Sequence, residues 1–170
     1  MTFPPRRVVT GHDADGRSII VNDSIADNGI SRRAGHRSFV LWATERVPAE
    51  IQGDDGAIQT MRNRSLPQGT VFRIVEYGPG VTPARHRTDS IDYAVVLSGE
   101  IDLILHDEVV RLTAGDTLIQ RGTEHDWANN GVLPCVIAFC LVGASQGSQS
   151  IPVPSSALVA DADGDANVAD

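Results

Sequence analysis

The chain has 170 residues, 41% of them hydrophobic and 21% charged, which is the balance of one globular domain able to bury its own core. All 14 basic residues are arginine, which excludes Schiff-base, PLP-anchoring and Walker-A chemistry, since each needs a lysine. The formal charge of −8 argues against a nucleic-acid partner, because phosphate binding requires a basic surface.

At the N-terminus no apolar stretch follows Arg6 and Arg7, so no secretory leader is expected. No apolar run approaches the roughly 18 residues that span a bilayer. These features predict a cytoplasmic protein with no membrane partner. Residues 6–9 and 17–22 read as short strands around Asp13-Ala14-Asp15-Gly16, a turn suited to a hairpin. Residues 22–35 are polar and loop-like. Residues 37–44 alternate around Phe39, Val40, Leu41 and Trp42 as a strand does. The segment 45–70, punctuated by glycine and proline, is too long for an ordinary connection and is a lid candidate, with room for a short helix at 57–61.

From Val71 onward the rhythm is regular. Strand-like runs cover 71–77, 91–97, 101–105, 109–112, 117–120 and 135–142, separated by turns such as Gly78-Pro79-Gly80 and Asn129-Asn130-Gly131. Many short strands at this spacing predict an all-β sandwich or barrel. Cys135 and Cys140 are five apart, so in one strand they face opposite ways and do not bridge. The last stretch, 144–170, turns to Ser, Gln, Pro, Asp and Ala. It holds four of the acidic residues in its final ten positions and is expected to be a disordered tail.

Counting by two along an extended chain puts His86, Thr88, Ser90 and Asp92 on one side. His125 opens another strand-like run and shares its face with Trp127. Two imidazoles and a carboxylate suit a divalent metal with positions left open for substrate. His12, His36 and His106 sit in turn-like or polar contexts and are expected at the surface. Asn129 reads as a turn residue. Arg73 and Glu76 have opposite parity, so one of them faces inward, and an inward Arg73 could clamp a substrate carboxylate.

These residues resemble two known motifs. Gly80, His86, Thr88, Asp92 and Gly99 are spaced like the first cupin motif, and Gly115, Gln120, Gly122, His125, Trp127 and Asn129 like the second. The resemblance implies a single jelly-roll-like cupin β-barrel over 37–143, with motif one at 80–99 and motif two at 115–129. Residues 1–36 would then be an N-terminal strand extension packed on the barrel. Thr88 stands where the motif has its second histidine, and Asp92 where it has glutamate.

Carried over residue by residue, His86, Asp92 and His125 become the expected ligands of a divalent ion (Fe, Mn, Zn or Ni). Asp92 is also the candidate catalytic base, and Thr88, Trp127, Gln120 and Arg73 the substrate contacts. If no metal binds, Asp92 instead accepts a hydrogen bond from Thr88 or an imidazole. Trp127 and Trp42 point to an apolar or aromatic substrate bearing oxygen. The expected activity is a lyase or isomerase reaction such as decarboxylation or dehydration. Its rivals are an Fe(II)-dependent oxidoreductase and a non-catalytic small-molecule-binding barrel. The resemblance further implies a homodimer that meets through the N-terminal hairpin.

Overall fold

The computed structural model describes residues 3–51 and 65–145. The helix expected at 57–61, part of the 45–70 connection and the tail from 146 onward lie outside the described residues. Among the described residues all regular structure is strand: β1 (Arg6–His12), β2 (Ser18–Ile25), β3 (His36–Thr44), β4 (Thr70–Tyr77), β5 (Ser90–Ser98), β6 (Glu100–Ile104), β7 (Val109–Thr113), β8 (Thr117–Arg121), β9 (Asp126–Ala128) and β10 (Cys135–Gly143). A five-stranded antiparallel sheet, ordered β3-β4-β10-β5-β8, faces a three-stranded sheet, β7-β6-β9. The hairpin β1-β2 forms a separate ribbon.

Alternation decides which side chains enter the barrel. Along β5, Ser90, Asp92, Ala94 and Val96 are buried while Tyr93, Val95 and Leu97 are exposed, as a period of two demands. The neighbouring strands obey the same register. Tyr93 pairs with Cys140, which pairs with Phe72, so these three share the outer face. The inner faces meet in one cluster that includes Val71, Val75, Ile101, Leu103, Trp127, Ile137 and Phe139. A second, smaller cluster of Phe39, Leu41, Ile74, Val136 and Ala26 lies on the other side of the larger sheet, with Phe3 packed against it.

Cys135 is buried in the barrel core and Cys140 half-buried on the opposite face, both as free thiols. Gly99, the last residue of motif one, turns at φ 79° directly against the chain at Pro134 and Cys135. A Cβ there would come within 2.5 Å of the Pro134 carbonyl oxygen, so only glycine fits. β2 runs three residues further than its composition suggests, because Asp23, Ser24 and Ile25 complete the pairing with the start of β1.

Candidate active site

Motif one reaches the barrel as an extended segment, and motif two arrives antiparallel to it. His86 and His125 face each other across an isolated bridge. His86 N–H donates to the His125 carbonyl at 3.0 Å, and His125 N–H donates back to the His86 carbonyl at 2.9 Å. Their rings lie 4.4 Å apart, centroid to centroid. Each ring is oriented in the same way. Nδ1 of His86 lies 2.8 Å from the Ala84 carbonyl oxygen, and Nδ1 of His125 lies 2.9 Å from that of Thr123. A carbonyl accepts only, so the carbonyl contacts make Nδ1 the donor and leave Nε2 the lone pair, the tautomer a metal-binding histidine needs. At His125 the Gln120 amide nitrogen lies against both ring nitrogens, so a cation at Nε2 would have to displace it.

Asp92 is 5% exposed. It accepts hydrogen bonds from Ser90 Oγ and, at 3.4 Å, from Thr88 Oγ. Burial pushes its pKa above the ordinary carboxyl value, and the two hydroxyls and the charge of Arg73 pull it only part of the way back. Thr88 therefore serves the carboxyl, and it holds the position at which the motif places a second imidazole.

The cavity between these groups is lined by His86, Thr88, Asp92, His125, Trp127 and Arg73. Measured at the centre of a water molecule it holds about 50 Å³, space for a few waters or the head of a small ligand. Arg73 is the inward member of its pair, whereas Glu76 turns outward to Arg37 at 3.8 Å. Trp127, 1% exposed, is both wall and core. It packs edge-on to His125 and Phe139, each at 5.9 Å, and beside Tyr77 at 5.8 Å.

Three assignments are corrected by the structure. Gln120 is buried against the His125 ring, its Nε2 3.0 Å from the histidine Nε2, and does not line the cavity. Its place is against the imidazole, one layer behind the cavity wall. Trp42 lies under the Arg7 guanidinium at 5.8 Å and shares the outer face with Phe72, because a bulge after Val40 resets the register of β3. It contributes nothing to the cavity. His36, expected at the surface, is buried at the start of β3, packs edge-on to Tyr77 and lines the cavity. Asn129 does hold a turn, donating to the Tyr77 and Leu133 carbonyls and accepting from Gly131 N–H.

Sequence reasoning missed Arg32 and Arg33, which reach the cavity from the β2–β3 connection. Their one visible signal was a pair of adjacent arginines in a polar loop.

The donor set suits a divalent cation: two Nε2 nitrogens and one carboxylate on a shared cavity wall. Gln120 Oε1, buried without a hydrogen-bond partner among the described residues, is a further oxygen beside the His125 ring. Among the described residues no group of three or more His, Cys, Asp or Glu is placed around one point. Asp92 is turned to its two hydroxyls, so a cation would have to draw it away from them.

The cupin domain model matches residues 73–142. Phomopsin biosynthesis cluster protein C' of Diaporthe leptostromiformis is 41% identical over 134 residues, covering 74% of this chain and 70% of that protein. The cupin-domain-containing oxidoreductase fogC of Aspergillus ruber is 34% identical over 147 residues, covering 80% of this chain and 71% of its own length. The cupin-domain-containing oxidoreductase virC of Hypocrea virens is 31% identical over 138 residues, 75% of this chain and 70% of that one. No helix among the described residues is long and apolar enough to cross a membrane. With facing sheets, the paired imidazoles in place and these relatives along most of its length, the chain belongs to the cupin family.

Proposed function

We propose that this chain is a cytoplasmic, homodimeric enzyme of specialised metabolism that carries out oxidoreductase-type chemistry on a small organic molecule bound between the two sheets. Support for the reaction class comes from the names of the relatives, several of which are cupin-domain-containing oxidoreductases. The observation that carries the site is the imidazole pair, each ring held by a carbonyl two residues upstream so that Nε2 is its lone-pair nitrogen. A divalent metal, when held by His86, His125 and Asp92, supplies a Lewis-acid centre with positions open to substrate.

The remaining work falls to the chain's own side chains. Trp127 and Phe139 form an apolar wall that keeps water away from the reacting atoms. Gln120 fixes the plane of His125, and Arg73 orients an acidic group of the substrate. Asp92 holds its proton more tightly than an exposed carboxyl does. That last property favours a second reading, proton transfer within a lyase or isomerase reaction, in which Asp92 gives and takes a proton at its carboxyl oxygen.

Metal analysis by inductively coupled plasma mass spectrometry tests the first reading, using chain purified without chelators beside His86→Ala and His125→Ala. The expected result is about one divalent ion per chain, lost in both variants while their circular dichroism is unchanged. Metal below about a tenth per chain, after reconstitution with iron, manganese, zinc and nickel in turn, would overturn it and leave the acid–base reading.

A further inference from the structure

The cavity's charge runs against that of the molecule. The chain as a whole carries −8, yet Arg32, Arg33 and Arg73 all line this cavity, and among the described residues Asp92 is the one carboxyl in its wall. Guanidinium groups stay charged at every physiological pH, so these three positive charges are permanent. Arg33 adds a sharper observation: its Nε is buried with no hydrogen-bond partner among the described residues. A buried charged donor without an acceptor is costly, and such a position is retained where a ligand supplies the acceptor.

Arg33 is also held in place. Its carbonyl accepts from Ser31 Oγ at 3.1 Å and from His36 N–H at 3.2 Å. The next two carbonyls, of Ala34 and Gly35, accept from Thr82 N–H at 3.3 Å and Gly78 N–H at 2.7 Å. The loop is thereby stitched to the segment that leads into motif one, and the backbone that carries Arg33 is fixed beside the cavity.

We propose that the substrate of this cavity is a carboxylic acid with a flat apolar body, its carboxylate gripped by Arg33 and Arg73. The proposal rests on the reading above only in taking this cavity to be the substrate site. The planar fork of a guanidinium matches a carboxylate with two parallel hydrogen bonds. The narrow interior takes the acid head. Trp127, Phe139 and Leu141 offer an apolar wall to the body behind it. Arg32, exposed at the rim, adds charge that draws the anion in from solvent.

Isothermal titration of the full chain with benzoate, its neutral isostere benzamide and inorganic phosphate tests this without requiring turnover. Benzoate should bind more tightly than benzamide by about tenfold or more, the worth of a charge-assisted pair, and more tightly than phosphate. Arg33→Gln should bring the acid and amide together, while Arg33→Lys keeps part of the difference by keeping the charge. Both variants sit in a surface connection, and unchanged melting temperatures would show that they fold. Equal binding of acid and amide, an undiminished preference in folded Arg33→Gln, tighter binding of phosphate, or no binding of benzoate at about 10 mM would each overturn the proposal. A benzoate preference in a chain that never loads metal would overturn the metal reading and leave this one standing.

Discussion

Burial takes the Asp92 carboxylate out of water, and Ser90, Thr88 and Arg73 do not fully replace that solvation, so the folded chain holds this proton more tightly than the unfolded chain does. The sign of the linkage follows. Stability from this group is fully present below the unfolded value of 3.8 and is lost as the pH rises through the higher folded value. Above that folded value the ionised carboxylate is therefore a burden on the fold. Asp92→Asn, which has no charge to bury, should melt above the parent at pH 7, with the gap closing towards pH 4. Thermal denaturation at both pH values checks this, and a constant gap would contradict it. The inward placement of Asp92 was legible from parity alone, since an extended chain must alternate. Its ionisation was not, because that depends on what the opposite strands bring near it. His36 went unrecognised for the same reason: a histidine beside a turn reads as surface until the strand it opens is known to enter the core.

Between residues 31 and 36 the chain has a polar composition, which reads as a loop whichever way its arginines face. Direction is set by anchors some forty residues away, at Gly78 and Thr82, and no local pattern encodes those. Gly35 is the pivot. Its φ is 75°, and a Cβ there would stand 2.9 Å from the Val81 Cα. Gly35→Ala combines left-handed strain with a backbone clash, and should cost about 1–3 kcal/mol of stability. It should also weaken benzoate binding by displacing Arg33, and denaturant titration beside calorimetry would read both effects. Retained affinity in the destabilised variant would show that the loop does not depend on this contact. The strands, by contrast, were legible nearly to the residue. From β4 to β10 the strand-like runs recur at short intervals, and every connection between them except that at 105–108 carries glycine or asparagine. Two local departures escaped: the bulge in β3 that turns Trp42 outward, and the extra length of β2, which comes from pairing with β1.

At the scale of the whole molecule, the larger sheet carries an apolar row straight across its outer face. Trp42, Phe72, Cys140, Tyr93 and Ile119 stand on successive strands, each paired in register with the next. Phe72, Tyr93 and Ile119 are 41%, 49% and 55% exposed. The β1-β2 ribbon likewise exposes Val8, Ile19, Ile20, Val21 and Ile25, and a lone two-stranded ribbon has little stability of its own. Two apolar surfaces on one chain suit a second copy that covers both. Light scattering should give twice the 18.2 kDa of one chain, and Tyr93→Arg should return it to that single mass. A parent mass of 18.2 kDa would rule the dimer out. The imidazole pair has a consequence at this scale too. His86 leads into β5 of the larger sheet, while His125 leads into β9 of the smaller one, so their bridge is a joint between the two halves of the barrel. The distance between the rings then registers how far apart the core holds those halves. Volume changes at Ile101 or Ile137, deep in that core, would act as a rheostat on reactivity, and sequence drift in the interior could retune the chemistry while every residue of the cavity stayed the same.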